Sequence, residues 1–188
     1  METANGAVAF FKAFDRPNLR VRSTQLDFLK HETPAVRRRR EFHAGRECAG
    51  LESVGVGPAG EPLWPNSVVG SITHDAGVVV AVVGAKSDFR GIGIDAVCTS
   101  SPLRRSIDVN IFATQEELAH VSTSELGMDR LGLLLFSIKE SIYKYQFPLT
   151  GRALHFHDVD VSALDFTHGT FCARIASERS SLSGHFRY

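Results

Sequence analysis

The sequence predicts an α+β protein with two similar lobes, and three observations carry that reading. In the first half, a helix-type segment precedes two β-type segments at 68–73 and 77–85. In the second half, a longer helix-type segment at 131–145 precedes β-type segments at 153–164 and 170–176. The β-type runs are short and close together, as in antiparallel sheets rather than a βαβ array. No internal repeat is clear enough to establish duplication.

Taken in order, residues 8–11 read as a short strand. Thr33-Pro34 opens the first helix, because threonine caps a helix and proline is tolerated at its first position. That helix runs to about Leu51, with Ala44, Cys48 and Leu51 facing inward, while Arg39 and Arg46, seven residues apart, share another face. Residues 53–69, rich in Gly and Pro, form a rigid loop whose Trp64 packs against the body. Segments 68–73 and 77–85 form strands joined by a turn around 74–77, and 91–97 is a third strand. Ser101-Pro102 starts another helix. Thr114 and Glu117, three apart, make a capping box before Leu118. Leu131, Leu134, Leu135, Ile138, Ile142 and Tyr145 have the three-and-four spacing of one buried helix stripe, and Pro148 marks the end of that helix. At Gly184 a further strand is starting.

With 188 residues, 43% of them hydrophobic, the chain can bury a core as one domain or two intimately packed lobes. Lys plus Arg and Asp plus Glu both total 21, and basic residues are not interleaved with aromatics, which argues against nucleic acid as partner. The run Arg37 to Arg40 is either a solvated face or a contact for a local anionic ligand, and both readings stay open. Cys48, Cys98 and Cys172 are odd in number and lack CxxC spacing, which argues against a disulfide framework or zinc knuckle and fits a reducing compartment. The N-terminus has no signal-like apolar run, and the apolar stretch 77–85 is too short to span a bilayer. The expectation is a cytoplasmic, monomeric protein without a membrane partner.

The chemistry-bearing residues are acids and bases. Glu140 and Lys144, four apart on the helix, make an exposed pair or point into a shared site. Asp95 ends one strand-like stretch and His74 another. A histidine at a strand end is more often structural than ligand-binding. Together with the arginine helix, these residues suit a polyphosphate and a hard divalent ion, because carboxylates supply oxygen ligands to Mg²⁺ while Lys and Arg neutralise the remaining charge. There is no GxxxxGK[ST] loop, and Gly91-Ile-Gly-Ile is too weak for a dinucleotide fingerprint.

The order RRRREFHAGREC, EPLWP, GSITHDAG, GIGIDAV, FATQEE and FSIKESIYK resembles the 4′-phosphopantetheinyl transferase superfamily, in its Sfp-type, enterobactin-synthase-component-D-like branch, over about residues 35–188. The resemblance implies a pseudo-symmetric two-lobe α+β fold, with lobes at 1–97 and 98–188 and with coenzyme A and Mg²⁺ between them. It implies transfer of phosphopantetheine from coenzyme A to a serine hydroxyl of an acyl, peptidyl or aryl carrier protein, releasing adenosine 3′,5′-bisphosphate. By the same resemblance Asp95 and Glu140 are metal ligands, Glu140 is also the general base, and Lys144 steadies the pyrophosphate. His74 and Arg46, with one arginine of the run such as Arg39, contact the coenzyme A phosphates. A further acid near the metal falls at Glu116 or Glu117, and the capping role of Glu117 leaves Glu116 the freer. Three departures stand out: Val97 replaces a second acid, Gly60 replaces a basic residue before Glu61, and the family's closing strand does not follow Tyr188. They motivate an alternative, a weakened or inactive relative that binds coenzyme A or a carrier protein.

Overall fold

The structure is a computed structural model, and it describes residues 18–27, 31–99, 108–121, 127–178 and 181–187. The strand expected at 8–11 and the helix start at Ser101-Pro102 lie outside these residues. In the first lobe β1 (Leu19–Gln25), β4 (Val68–Asp75) and β5 (Val78–Ala85) form an antiparallel sheet in the order β1-β5-β4. The sequence VVVAVVGA of β5 is apolar throughout because this central strand is covered on both faces. Ala81 and Val83 pack with Ala49 and Leu51 at the end of α1 (Pro34–Cys48), whereas Val80 and Val82 face Ile92 and Ile94. Ala76 and Gly77 turn the β4–β5 hairpin, both at positive φ (50° and 84°), so His74 and Asp75 belong to the strand rather than the turn. Within the Gly/Pro-rich loop, β2 (Gly55–Val56) and β3 (Pro62–Leu63) pair antiparallel, and Trp64 packs on the first-lobe core as expected.

Thr33 caps α1 through a bond from the Val36 amide to its hydroxyl, with Pro34 in the first turn, and the helix stops at Cys48, slightly short of the predicted end. In the second lobe, α2 (Gln115–Val121) precedes the 23-residue α3 (Met128–Thr150) and the meander β6 (Val159–Asp165), β7 (Thr170–Ile175), β8 (Ser181–His185). Leu131, Leu134, Leu135, Ile138 and Ile142 lie buried against Val159, Val161, Phe171, Ala173 and Ile175, as the apolar stripe requires. Each lobe therefore packs helix against an open three-stranded antiparallel sheet.

Four further expectations need correction. Pro148 does not end α3: proline's φ suits a helix, and its missing N–H costs one bond near the terminus. The helix closes instead at Gly151, which adopts φ 66° and donates its N–H to the Phe147 carbonyl. Residues 153–158 are not strand, because the amide of His155 donates to Asp158 and sets up a 3₁₀ turn at Phe156–Asp158. The segment at Gly184 is not a strand just beginning, since Ser181–His185 is already paired along β7.

The fourth correction positions the site. Residues 91–97 form no strand in the sheet, yet they follow β4 in register. The amides of Ile94, Ala96 and Cys98 donate to the side chains of Ser71 (3.1 Å), Thr73 (3.1 Å) and Asp75 (2.6 Å), each 23 residues earlier. Alternate β4 side chains therefore do what backbone carbonyls do in a sheet, and the crossing segment 91–98 lies on the sheet face instead of extending its edge. On its other side the segment meets α3. A Cβ at Gly93 would collide with the Ser141 carbonyl and the Tyr145 backbone, so this close approach requires glycine.

Candidate active site between the lobes

Asp95 lies where the crossing segment is held between β4 and α3. Its side chain is 9% exposed, and Oδ1 receives the Lys144 ammonium at 2.6 Å and the Thr73 hydroxyl at 3.0 Å. Oδ2 is buried without a hydrogen-bond partner. Lys144 is 27% exposed and lies 3.4 Å from Thr73 Oγ1. Three pieces far apart in sequence, GSITH, GIGID and the C-terminal half of FSIKESIYK, thus converge on one carboxylate.

Glu140 is half-buried one helical turn before Lys144. It lines a cavity of about 240 Å³ with Lys139, Tyr143, Leu154, His155 and Phe156. Asp95 borders a larger cavity of about 590 Å³, whose mainly apolar wall includes Val21, Val80, Ile94, Tyr145 and Leu182 and so draws on both lobes. That volume is in the range of small-molecule sites.

Among the described residues, the remaining predicted residues make no hydrogen bond or ion pair with Asp95 or Lys144. His74 Nδ1 lies 3.2 Å from Glu41 Oε2, with the histidine side chain 40% exposed. Arg46 lies with Cζ 3.6 Å from the centroid of the Phe42 ring and donates to the carbonyls of Phe42 (3.4 Å) and Gly60 (3.3 Å). Burial lowers the pKa of its guanidinium. Gly60 stands at φ 85°, so its carbonyl, not a side chain, serves the arginine. Arg39 and Glu116 are exposed. Among the described residues no three His, Cys, Asp or Glu side chains gather into a metal cage.

Glu117 has the capping role read from the sequence: its carboxylate accepts from Thr114 N at 2.8 Å, and its amide donates to the Thr114 hydroxyl at 3.1 Å. It has a further role that the sequence did not disclose. With Lys139 it forms a 2.8 Å ion pair whose side chains are 0% and 1% exposed, and its other oxygen accepts from Val161 N at 2.8 Å. Lys139 also donates to the Phe156 carbonyl at 3.0 Å. Burial draws the Lys139 pKa below its ordinary value, while Glu117 opposes that shift. The pair fastens α2, α3 and β6 together immediately beside Glu140. Thr73 and Lys139 are the two site-supporting residues that sequence reasoning missed; the polar alternation Ser71, Thr73, Asp75 along β4 was the available signal for the first.

Comparison with known proteins finds relatives over both lobes. The family model for the 4′-phosphopantetheinyl transferase superfamily matches residues 91–187, and that for the 4′-phosphopantetheinyl transferase N-terminal domain matches residues 29–84. The chain is 37% identical over 174 residues to 4′-phosphopantetheinyl transferase PptT of Mycobacterium tuberculosis, covering 83% of this chain and 75% of that protein. It is 36% identical over 150 residues to 4′-phosphopantetheinyl transferase Npt of Nocardia iowensis, covering 72% and 66%. Enterobactin synthase component D of Salmonella typhi is 30% identical over 129 residues, covering 67% and 52%. The chain thus spans from about half to three quarters of the length of these relatives. With both lobes matched in order and the motif residues converging on Asp95, the chain belongs to the 4′-phosphopantetheinyl transferase superfamily.

Proposed function

We propose that the protein transfers 4′-phosphopantetheine from coenzyme A to a serine hydroxyl of an acyl, peptidyl or aryl carrier protein, releasing adenosine 3′,5′-bisphosphate. The observation that carries this reading is the Asp95 carboxylate, which has an ammonium on one oxygen and a buried, partnerless second oxygen at the junction of two lobes. A carboxylate oxygen shielded from water and lacking a donor suits a hard cation. Asp95 would hold Mg²⁺ through Oδ2, with Glu140 and Glu116 as further candidate ligands and water completing the shell, as Mg²⁺ commonly retains water. When bound, Mg²⁺ supplies positive charge against the pyrophosphate whose bond is broken.

The chain's own residues do the rest. Lys144 neutralises pyrophosphate charge from its position beside Asp95. Glu140 takes the proton of the carrier serine as its oxygen attacks phosphorus, and the leaving adenosine 3′,5′-bisphosphate departs with the bonding electron pair. His74, beside Glu41, and Arg46 and Arg39 of α1 meet the coenzyme A phosphates. The cavity of about 590 Å³ has an apolar wall fit for the pantetheine arm. A cytoplasmic setting and a monomer belong to the same reading. Among the described residues no helix is long and apolar enough to cross a membrane.

Intact-mass measurement of several apo carrier proteins, incubated with coenzyme A and Mg²⁺, tests the proposal. The expected product is one phosphopantetheine on serine, formed only with metal. No product, while a competent transferase modifies the same carriers in parallel, overturns it. One observation favours a second reading, a relative that binds coenzyme A without turnover: the side chain at position 97 is valine. Coenzyme A binding without transfer, unchanged by Val97→Glu, would support that reading.

A further inference from the structure

We propose that Thr73 is the positioning residue that fixes the plane of the Asp95 carboxylate and so keeps one of its oxygens open to a divalent cation. A hydroxyl carries one proton and two acceptor sites. The Ala96 amide occupies one acceptor site of Thr73 at 3.1 Å, and Lys144, which has only donors, lies 3.4 Å away on the other. The single hydroxyl proton is thereby directed to Asp95 Oδ1 at 3.0 Å. Oδ1 then receives two donors, and Oδ2, buried and partnerless, is the oxygen left to a cation. Aspartate χ2 is a broad, soft torsion, so without this grip the carboxylate plane can swing, letting Lys144 bridge both oxygens and turning the open oxygen off its direction. The hydroxyl also anchors the backbone one residue beyond Asp95, which joins the carboxylate's direction to the docking of the crossing segment.

The proposal rests on the reading of Asp95 as a cation-binding carboxylate. Its test uses Mn²⁺, a hard oxygen-seeking ion, as a direct binding probe, with free Mn²⁺ measured by electron paramagnetic resonance on the full chain with and without coenzyme A. Thr73→Val removes the hydroxyl while keeping the branched shape, and Thr73→Ser restores the hydroxyl. Ser71→Ala is the control, because it deletes the equivalent anchor at Ile94 without touching Asp95. Thr73→Val should weaken Mn²⁺ by about 10-fold, the low end for loss of a group that orients a metal ligand, while Thr73→Ser and Ser71→Ala bind like the parent. Thr73→Ala makes the same test should the valine variant fail to fold. Equal weakening by Ser71→Ala and Thr73→Val would overturn the proposal by reducing the hydroxyl to a docking bond. Unchanged binding in Thr73→Val overturns it while leaving the cation reading in place. If the parent takes up no Mn²⁺ in either condition, the cation reading falls and the proposal falls with it.

Discussion

Lys144 Nζ and Asp95 Oδ1 lie 2.6 Å apart, joining α3 of the second lobe to the crossing segment that lies on the first-lobe sheet. The pair is screened on one side only, since the lysine is 27% exposed while the aspartate is 9% exposed. Replacing Lys144 with Met leaves a buried carboxylate with one donor in place of two. The expected result is a loss of about 1–3 kcal/mol in urea unfolding, together with weaker coenzyme A binding. Unchanged stability would mean that water or another cation takes the ammonium's place.

Glu140→Gln should lower transfer by about 10²–10⁴-fold with little change in coenzyme A affinity, because the amide fills the same space but cannot accept the serine proton. Single-turnover mass measurement beside calorimetric coenzyme A titration separates the two effects. A loss confined to affinity would assign Glu140 to binding.

His74→Ala and Arg46→Ala should each weaken coenzyme A more than dephospho-coenzyme A if they meet the 3′-phosphate. Their effects on the free protein should differ. Arg46 covers Phe42 and bonds the Gly60 carbonyl, so its loss should also lower the melting temperature, whereas His74 is joined through one exposed ring to Glu41. Equal losses for both ligands would place the contact away from the 3′-phosphate.

Lys139→Met should destabilise the second lobe by about 3–5 kcal/mol, because it leaves Glu117 charged and buried without its counter-ion. Adding Glu117→Gln to that variant should recover part of the loss, read as a rise in the urea midpoint. No recovery would locate the damage in packing rather than charge.

The fold was legible where a residue's role depended on its neighbours in sequence. The α1 cap at Thr33, the Thr114–Glu117 box and the buried stripe from Leu131 to Ile142 are local patterns, and the structure contains all three. Segment 91–97 was misread because alternation and apolar content are alike whether the partner supplies backbone or side-chain acceptors. Pro148 was misread because its position relative to the helix end is set by the Gly151 cap. For the site, the sequence pointed to Asp95 and Lys144 but could not supply their distance, and Lys139 was hidden because a buried lysine is intelligible only once its partner 22 residues away is seen. The joint placement of Glu140, His74 and the arginines around one ligand rests on the family resemblance.

The crossing segment also bears on which length changes the chain can accept. Ser71, Thr73 and Asp75 engage alternate amides at a constant offset of 23 residues. An inserted residue at the exposed turn near Lys86–Asp88 lengthens the path before the first of these bonds and can be absorbed as slack. The same insertion between Ile94 and Asp95 breaks the period-two match, turning the following amides away from their acceptors and carrying the Asp95 carboxylate off Lys144. Natural and engineered variation in length should therefore collect before Gly91 and stop there, giving the chain a sharply bounded zone of indel tolerance next to its most position-sensitive stretch.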